Sequence, residues 1–210
     1  DAALLARVSG PVLFASTSLL LSAGTGLVAC DLLARPLEQG VATLWLARPV
    51  GRGIYALSRL AGALGLGLTA AMLVLGGATA LLAARHGLSP LPGLVGLAVH
   101  ALDAAIVATL AMTVSLLLPR LLAFFVVLAW LQLVALANGS HMLGIGFGGW
   151  FGAIEHWGPP IGTALLYAVG PWVGLAPAPS EMFAVGLRLV AWLAGAIALL
   201  IWGVRRIEPR

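Results

Sequence analysis

The chain has 210 residues, of which 61% are hydrophobic and only 9% charged, with a formal net charge of +4. A soluble domain carries about a quarter charged residues to face water, so this composition excludes one and calls for an integral membrane protein. All eleven basic residues are arginine. Without lysine the chain holds neither a Walker-type phosphate loop nor Schiff-base chemistry, and arginines scattered between apolar runs do not make the basic face of a nucleic-acid binder.

A hydrocarbon core about 30 Å thick takes roughly 20 apolar residues as a helix. The first such run extends from about Pro11 to Leu33 and contains Cys30, the one cysteine, so there is neither an internal disulfide nor a cysteine metal cluster. A more polar passage follows. Pro36 suits the first position of a helix, where its missing N–H costs nothing, and Glu38 then falls in the first turn, favoured by the helix dipole. Leu37, Val41, Leu44 and Trp45 recur at i, i+4, i+7 and i+8 as one apolar stripe. Pro49 closes the segment by disfavouring helical geometry at Arg48. The pattern predicts an amphipathic helix of about 12 residues, some 18 Å long and too short to cross. It is expected to lie flat on the membrane surface, with the turn to Arg52 completing a unit over residues 36–52.

The second run, about Tyr55 to Ala84, carries Gly62, Gly65, Gly67, Gly76 and Gly77, small surfaces for helix packing either within the bundle or at a dimer seam. The third, Leu91 to Leu118, contains His100 and Asp103 three apart on one helical face. Ionisable groups at membrane depth are functional candidates by default. Two readings stay open: a polar or proton-sensitive point on a substrate path, or an aspartate satisfied by His100, Thr109 or a neighbouring helix. No metal site is expected, since His86, His141 and His156 fall at no close ligand spacing.

The fourth run, Arg120 to Asn138, carries Gln132 and Asn138 as candidate interhelical hydrogen-bond partners. Residues 139–180 then turn rich in Gly, Pro and Trp, and Pro159, Pro160, Pro171, Pro177 and Pro179 cut them into apolar pieces too short to span. One or two short helices are expected there, re-entrant or interfacial, with Trp150, Trp157 and Trp172 at headgroup depth. A sixth span over residues 161–173 is the less favoured reading. The last run is about Met182 to Val204.

Arginine placement predicts orientation. With five spans, Arg35, Arg48, Arg52, Arg59, Arg120, Arg205, Arg206 and Arg210 fall on one side and Arg7, Arg85 and Arg188 near the other. That bias puts 36–52 and the C-terminus in the cytoplasm and 139–180 outside. Residues 1–210 thus read as one all-α domain, a polytopic transmembrane helix bundle with five spans. Glu155, His156 and Glu181 fall outside, where they would either guide a substrate or simply be solvated. Intramembrane catalysis is not expected: there is no HExxH, no GxSxG elbow and no aspartate pair.

The passage "LEQGVATLWLARPVGRGIYALSRLAG" resembles the cytoplasmic segment of ABC-2 type permeases, the membrane subunits of one class of ATP-binding-cassette transporters. That family shows an acidic residue, Gly-Thr, a leucine-rich turn, Arg-Pro-Val, a small residue and Arg, then a Tyr or Leu and a basic residue. Glu38, Gly40, Leu44, Leu46, Arg48, Pro49, Val50, Arg52, Tyr55 and Arg59 fall in register, while Val41, Gly51 and Arg59 replace the usual Thr, Ser and Lys. The resemblance covers about thirty residues, and the remainder agrees in layout.

It implies a coupling helix docking on a separate ATP-binding subunit, with Glu38, Gly40, Arg48, Pro49, Arg52 and Arg59 as coupling residues. It also implies a second permease copy or related permease, and ATP and Mg held by the partner rather than by this chain. The expected setting is a bacterial or archaeal inner membrane. The family has six spans with this segment after the second, which implies a first span upstream of Asp1. The competing readings are a non-transporting membrane scaffold and a secondary transporter using His100 and Asp103.

Overall fold

The computed structural model describes residues 2–39, 51–142, 149–175 and 177–206. Its helices are α1 (Ala2–Glu38), α2 (Arg52–His86), α3 (Leu91–Ser115), α4 (Arg120–Met142), α5 (Trp150–Trp157), α6 (Ile161–Val169) and α7 (Pro179–Arg206). No strand occurs among the described residues. Five of the helices, α1, α2, α3, α4 and α7, contain stretches long and apolar enough to cross a membrane. Their outward side chains, among them Leu20, Leu66, Leu73, Phe125 and Phe183, are exposed and apolar. Such a surface is costly in water and matched to lipid. The chain is an all-α integral membrane protein.

Helix α3 is the axis of the bundle. It packs against α1, α2, α4, α6 and α7, and every residue from Asp103 to Thr109 is buried. Small side chains let neighbours close in, notably Gly93, Gly96, Ala104, Ala108 and Ala111. A Cβ on Gly93 would overlap Thr79 of α2, and one on Gly96 would press on Phe14 of α1. The same close approach joins α1 to α2, where a Cβ on Gly67 would overlap Thr25.

Helix α2 is not uniform. A π turn at Met72–Gly76 interrupts it, with Ala56, Leu60, Ala63 and Ala71 buried before the turn, Leu75 within it and Thr79 after it. Gly87, at φ 61°, takes the left-handed conformation that ends the helix. The core falls into three clusters, one of them built on Ile106, Val107, Ala111, Val127 and Leu189. Ala29, Leu33, Tyr55, Leu60, Met112, Leu200 and Val204 pack together toward one end. Phe14, Leu75, Leu165, Val169 and Trp172 pack toward the other.

Two sequence expectations change. Pro36 does not begin a helix, because α1 runs through it to Glu38 and the Gln39 N–H still bonds the Arg35 carbonyl at 3.0 Å. The first residues of the 36–52 unit therefore belong to a helix end, and Glu38 sits in a last turn. Trp172 is buried rather than interfacial: its ring meets Phe14 edge-on at 5.8 Å, and its indole N–H donates to the Ser89 carbonyl at 2.8 Å. Helix α6 is a short helix of the kind expected in this segment, packed against α3, α4 and α7. Its nine residues reach about 13 Å, well short of a crossing.

Candidate functional site

The arginines sort to the two ends of the bundle. At one end Arg35 closes α1, Arg52 and Arg59 open α2, Arg120 opens α4, and Arg205 and Arg206 close α7. Direct contacts tie these helix ends together. Arg120 donates to Asp31 at 2.5 Å, Arg35 lies 3.8 Å from the same carboxylate, and Arg52 donates to the Arg205 carbonyl at 3.4 Å. The Arg59 guanidinium stacks over the Tyr55 ring at 5.1 Å and Arg206 over Trp202 at 4.3 Å. Arg85 and Arg188 stand at the opposite end. Of the expected coupling residues, Gly40, Arg48 and Pro49 lie outside the described residues, as does the Glu38 side chain; Arg52 and Arg59 are placed at the basic end.

The intramembrane pair lies at the centre of the bundle. His100 and Asp103 are both fully buried. The His100 Nδ1 is hydrogen-bonded to the Ser18 hydroxyl at 2.8 Å, with Ser22 at 3.4 Å, so the imidazole locks α3 to α1. Asp103 is not satisfied by the candidates the sequence offered. Thr109 donates to its own helix at Ala105, and among the described residues neither Asp103 oxygen nor His100 Nε2 has a hydrogen-bond partner. A buried polar group without a bond costs about 1–3 kcal/mol, and more when charged. The structure thus brings His100 to two serines and leaves Asp103 three residues away with no bond between the two.

Ser18, Ser22 and Asp31 were missed as partners in the sequence. Ser18, Ser22 and Thr25 recur at i, i+4 and i+7 on α1, a polar stripe on one helix face, and that spacing was the available signal. Cys30 is buried, its thiol donating to the Ala111 carbonyl at 3.4 Å. Among the described residues no three His, Cys, Asp or Glu side chains gather as a metal site.

At the end opposite the arginine cluster, the Tyr167 hydroxyl donates to the Glu181 carboxylate at 3.4 Å. Loss of hydration, the nearby negative charge and this bond together push the Tyr167 hydroxyl above its ordinary range. No protein-family model, curated protein or solved structure matches this chain.

Proposed function

We propose that the chain is the membrane-spanning permease subunit of an ABC-2 type exporter. It would pair with a second permease copy or a related one, and two ATP-binding subunits carrying ATP and Mg would dock on its cytoplasmic face. ATP binding and hydrolysis would alternate the pathway between inward and outward access. The observation that carries this reading is the run from Glu38 to Arg59, in which the charged residues, Gly40 and Pro49 fall in the family's register. Physical sense supports it: a short rigid helix transmits a push that a flexible loop would absorb.

The basic helix ends on either side of residues 40–50 add to it. Arg35, Arg52, Arg59, Arg120 and Arg205 share one end, the charge bias of a cytoplasmic face. The C-terminus would then be cytoplasmic, and α5 and α6 would belong to a re-entrant outer segment.

The test is purification from native membranes in mild detergent, followed by mass spectrometry of co-purifying proteins. An ATP-binding subunit in stoichiometric amount, lost in Arg48→Glu, is the expected result. Arg52→Glu serves as the companion variant, because Arg52 also holds the end of α7. Other membrane proteins without an ATPase would instead make the chain a scaffold. A second reading, a secondary transporter using His100 and Asp103, draws on the unbonded Asp103 carboxyl at the bundle centre. Transport by the purified chain without any ATPase would favour it.

A further inference from the structure

Helices α1 and α3 lie side by side in constant register. Phe14 packs on Gly96, the Ser18 hydroxyl bonds His100, Gly26 packs on Val107, and the Cys30 thiol bonds the Ala111 carbonyl. Each contact joins residues 81 or 82 positions apart. Gly96, His100, Asp103 and Val107 recur at four, three and four along one face of α3, so Asp103 falls in the layer of Ser22. That layer is closed on both sides. A Cβ on Gly96 would sit 2.9 Å from the Phe14 ring, and one on Gly26 would sit 3.0 Å from Val107. Between these two contacts the pair keeps three unbonded atoms, His100 Nε2 and both Asp103 oxygens, in side chains only 0% and 1% exposed.

From this arrangement we infer that His100 and Asp103 together bind one exchangeable proton. A carboxylate buried with neither a bond nor a counter-charge is the costliest form of such a group. A proton on the pair removes that net charge. It sits on Asp103 as an O–H, or it passes to the lone pair of Nε2 and leaves an imidazolium beside a carboxylate. In that transfer the O–H bond breaks, its electron pair stays on Asp103, and the ring lone pair forms the new N–H bond. The tautomer required has Nδ1–H donating to the Ser18 hydroxyl, which lies at 2.8 Å. One helical turn separates the two groups, the spacing at which side chains meet. The close contacts on either side favour the smallest ligand, and among the described residues no third His, Cys, Asp or Glu joins the pair to hold a metal ion. Of the helices packed on α3, α2 brings no titratable side chain between Arg59 and Arg85, and α4 none between Arg120 and His141. Cys30 of α1 donates to Ala111, Tyr167 of α6 to Glu181, and Arg188 of α7 to the Gly158 carbonyl. The site follows from the α1–α3 seam alone and requires neither transport reading.

The aspartates of the chain are Asp1, Asp31 and Asp103, so isotope-labelled aspartate carboxyls give a simple solid-state NMR spectrum of the full chain in lipid nanodiscs. Across a pH series one carboxyl signal is expected to move in a step of its own. It should vanish in Asp103→Asn and persist in Asp31→Asn, which identifies it without touching the pair. Labelled histidine in the unaltered chain should show one ring that steps at the same midpoint. His100→Gln is expected to change the proton affinity of the Asp103 carboxyl at least about ten-fold, a midpoint shift of about one pH unit, with the Asp31 signal unchanged as the control for folding. An Asp103 signal constant over the whole range in which the protein stays folded would make the carboxyl a fixed structural group and overturn the site. A midpoint indifferent to His100→Gln would overturn the sharing of the proton. A signal that moves with sodium at constant pH would give the site to a metal ion and overturn it as well.

Discussion

Arg120 donates to Asp31 at 2.5 Å across 89 residues of sequence, and in doing so fastens the basic ends of α4 and α1 together. Both side chains are close to half exposed, so water and headgroups screen the pair. Arg120→Ala is therefore expected to lower stability in detergent by less than about 1 kcal/mol. A thermal unfolding series against salt checks this. A larger loss that persists at high salt would mean the pair is shielded by something other than this chain.

The contact of Gly67 with Thr25 makes a sharper demand. A methyl group at Gly67 would overlap a β-branched side chain on α1, whereas one at Gly65, two residues earlier on the same helix, meets nothing within 4 Å. Alanine at Gly65 should be neutral or stabilising by some tenths of a kcal/mol, as it favours the helix. Alanine at Gly67 should cost about 1–3 kcal/mol through overpacking. Melting temperatures of the two variants, compared side by side, decide it; equal values would place the α1–α2 seam elsewhere.

Asp103 and Ile106 are equally buried on α3, yet their removal should act in opposite senses. Ile106→Ala opens a cavity and is expected to cost about 2–5 kcal/mol. Asp103→Ala removes a carboxyl whose oxygens make no bond, so stability should hold or rise. If the aspartate variant melts as early as the isoleucine variant, Asp103 is bonded in the membrane to a group supplied from outside this chain.

Tyr167 and Tyr55 are the two tyrosines of the sequence, so a Tyr55→Phe background reports Tyr167 alone by absorbance. Its ionisation should fall above the ordinary value of about 10, and Glu181→Gln should bring it back toward that value. The sign follows from linkage. A hydroxyl held neutral by the fold contributes stability that is complete below the unfolded pKa and is lost as pH rises through the folded one. A midpoint unchanged by Glu181→Gln would leave loss of hydration as the sole cause.

The spans were legible because a bilayer needs about 20 apolar residues in a row, and each of the five runs meets that measure on its own. The interrupted stretch after α4 was legible for the opposite reason, since its prolines forbid a long helix. What escaped was set by partners far away in sequence. Asp31 reads as an ordinary helix-end acid until α4 brings Arg120 beside it, and Trp172 reads as an interfacial indole until Phe14 and Ser89 enclose it. Pro36 misled because a proline tolerated in the last turn of one helix has the same local signature as a proline starting another. At the centre His100 and Asp103 were found from their cost in lipid alone, but which of them would be bonded depended on the rotation of α1.

The π turn in α2 has an evolutionary consequence. A π turn is an α turn carrying one surplus residue, and here the surplus lies between Met72 and Gly76. Buried positions before it follow the usual three-and-four spacing, while Ala71, Leu75 and Thr79 fall four apart. Removing one residue from within the turn would restore an unbroken helix and leave both halves facing their present neighbours, Gly67 on Thr25 and Thr79 on Gly93. Removing one from a plain α-helical stretch would instead rotate everything beyond it by about 100°. The turn is thus a place where the helix tolerates loss of one residue without re-aiming either half. Homologous chains one residue shorter should align with their gap at residues 72–76 and preserve the two glycine contacts on either side.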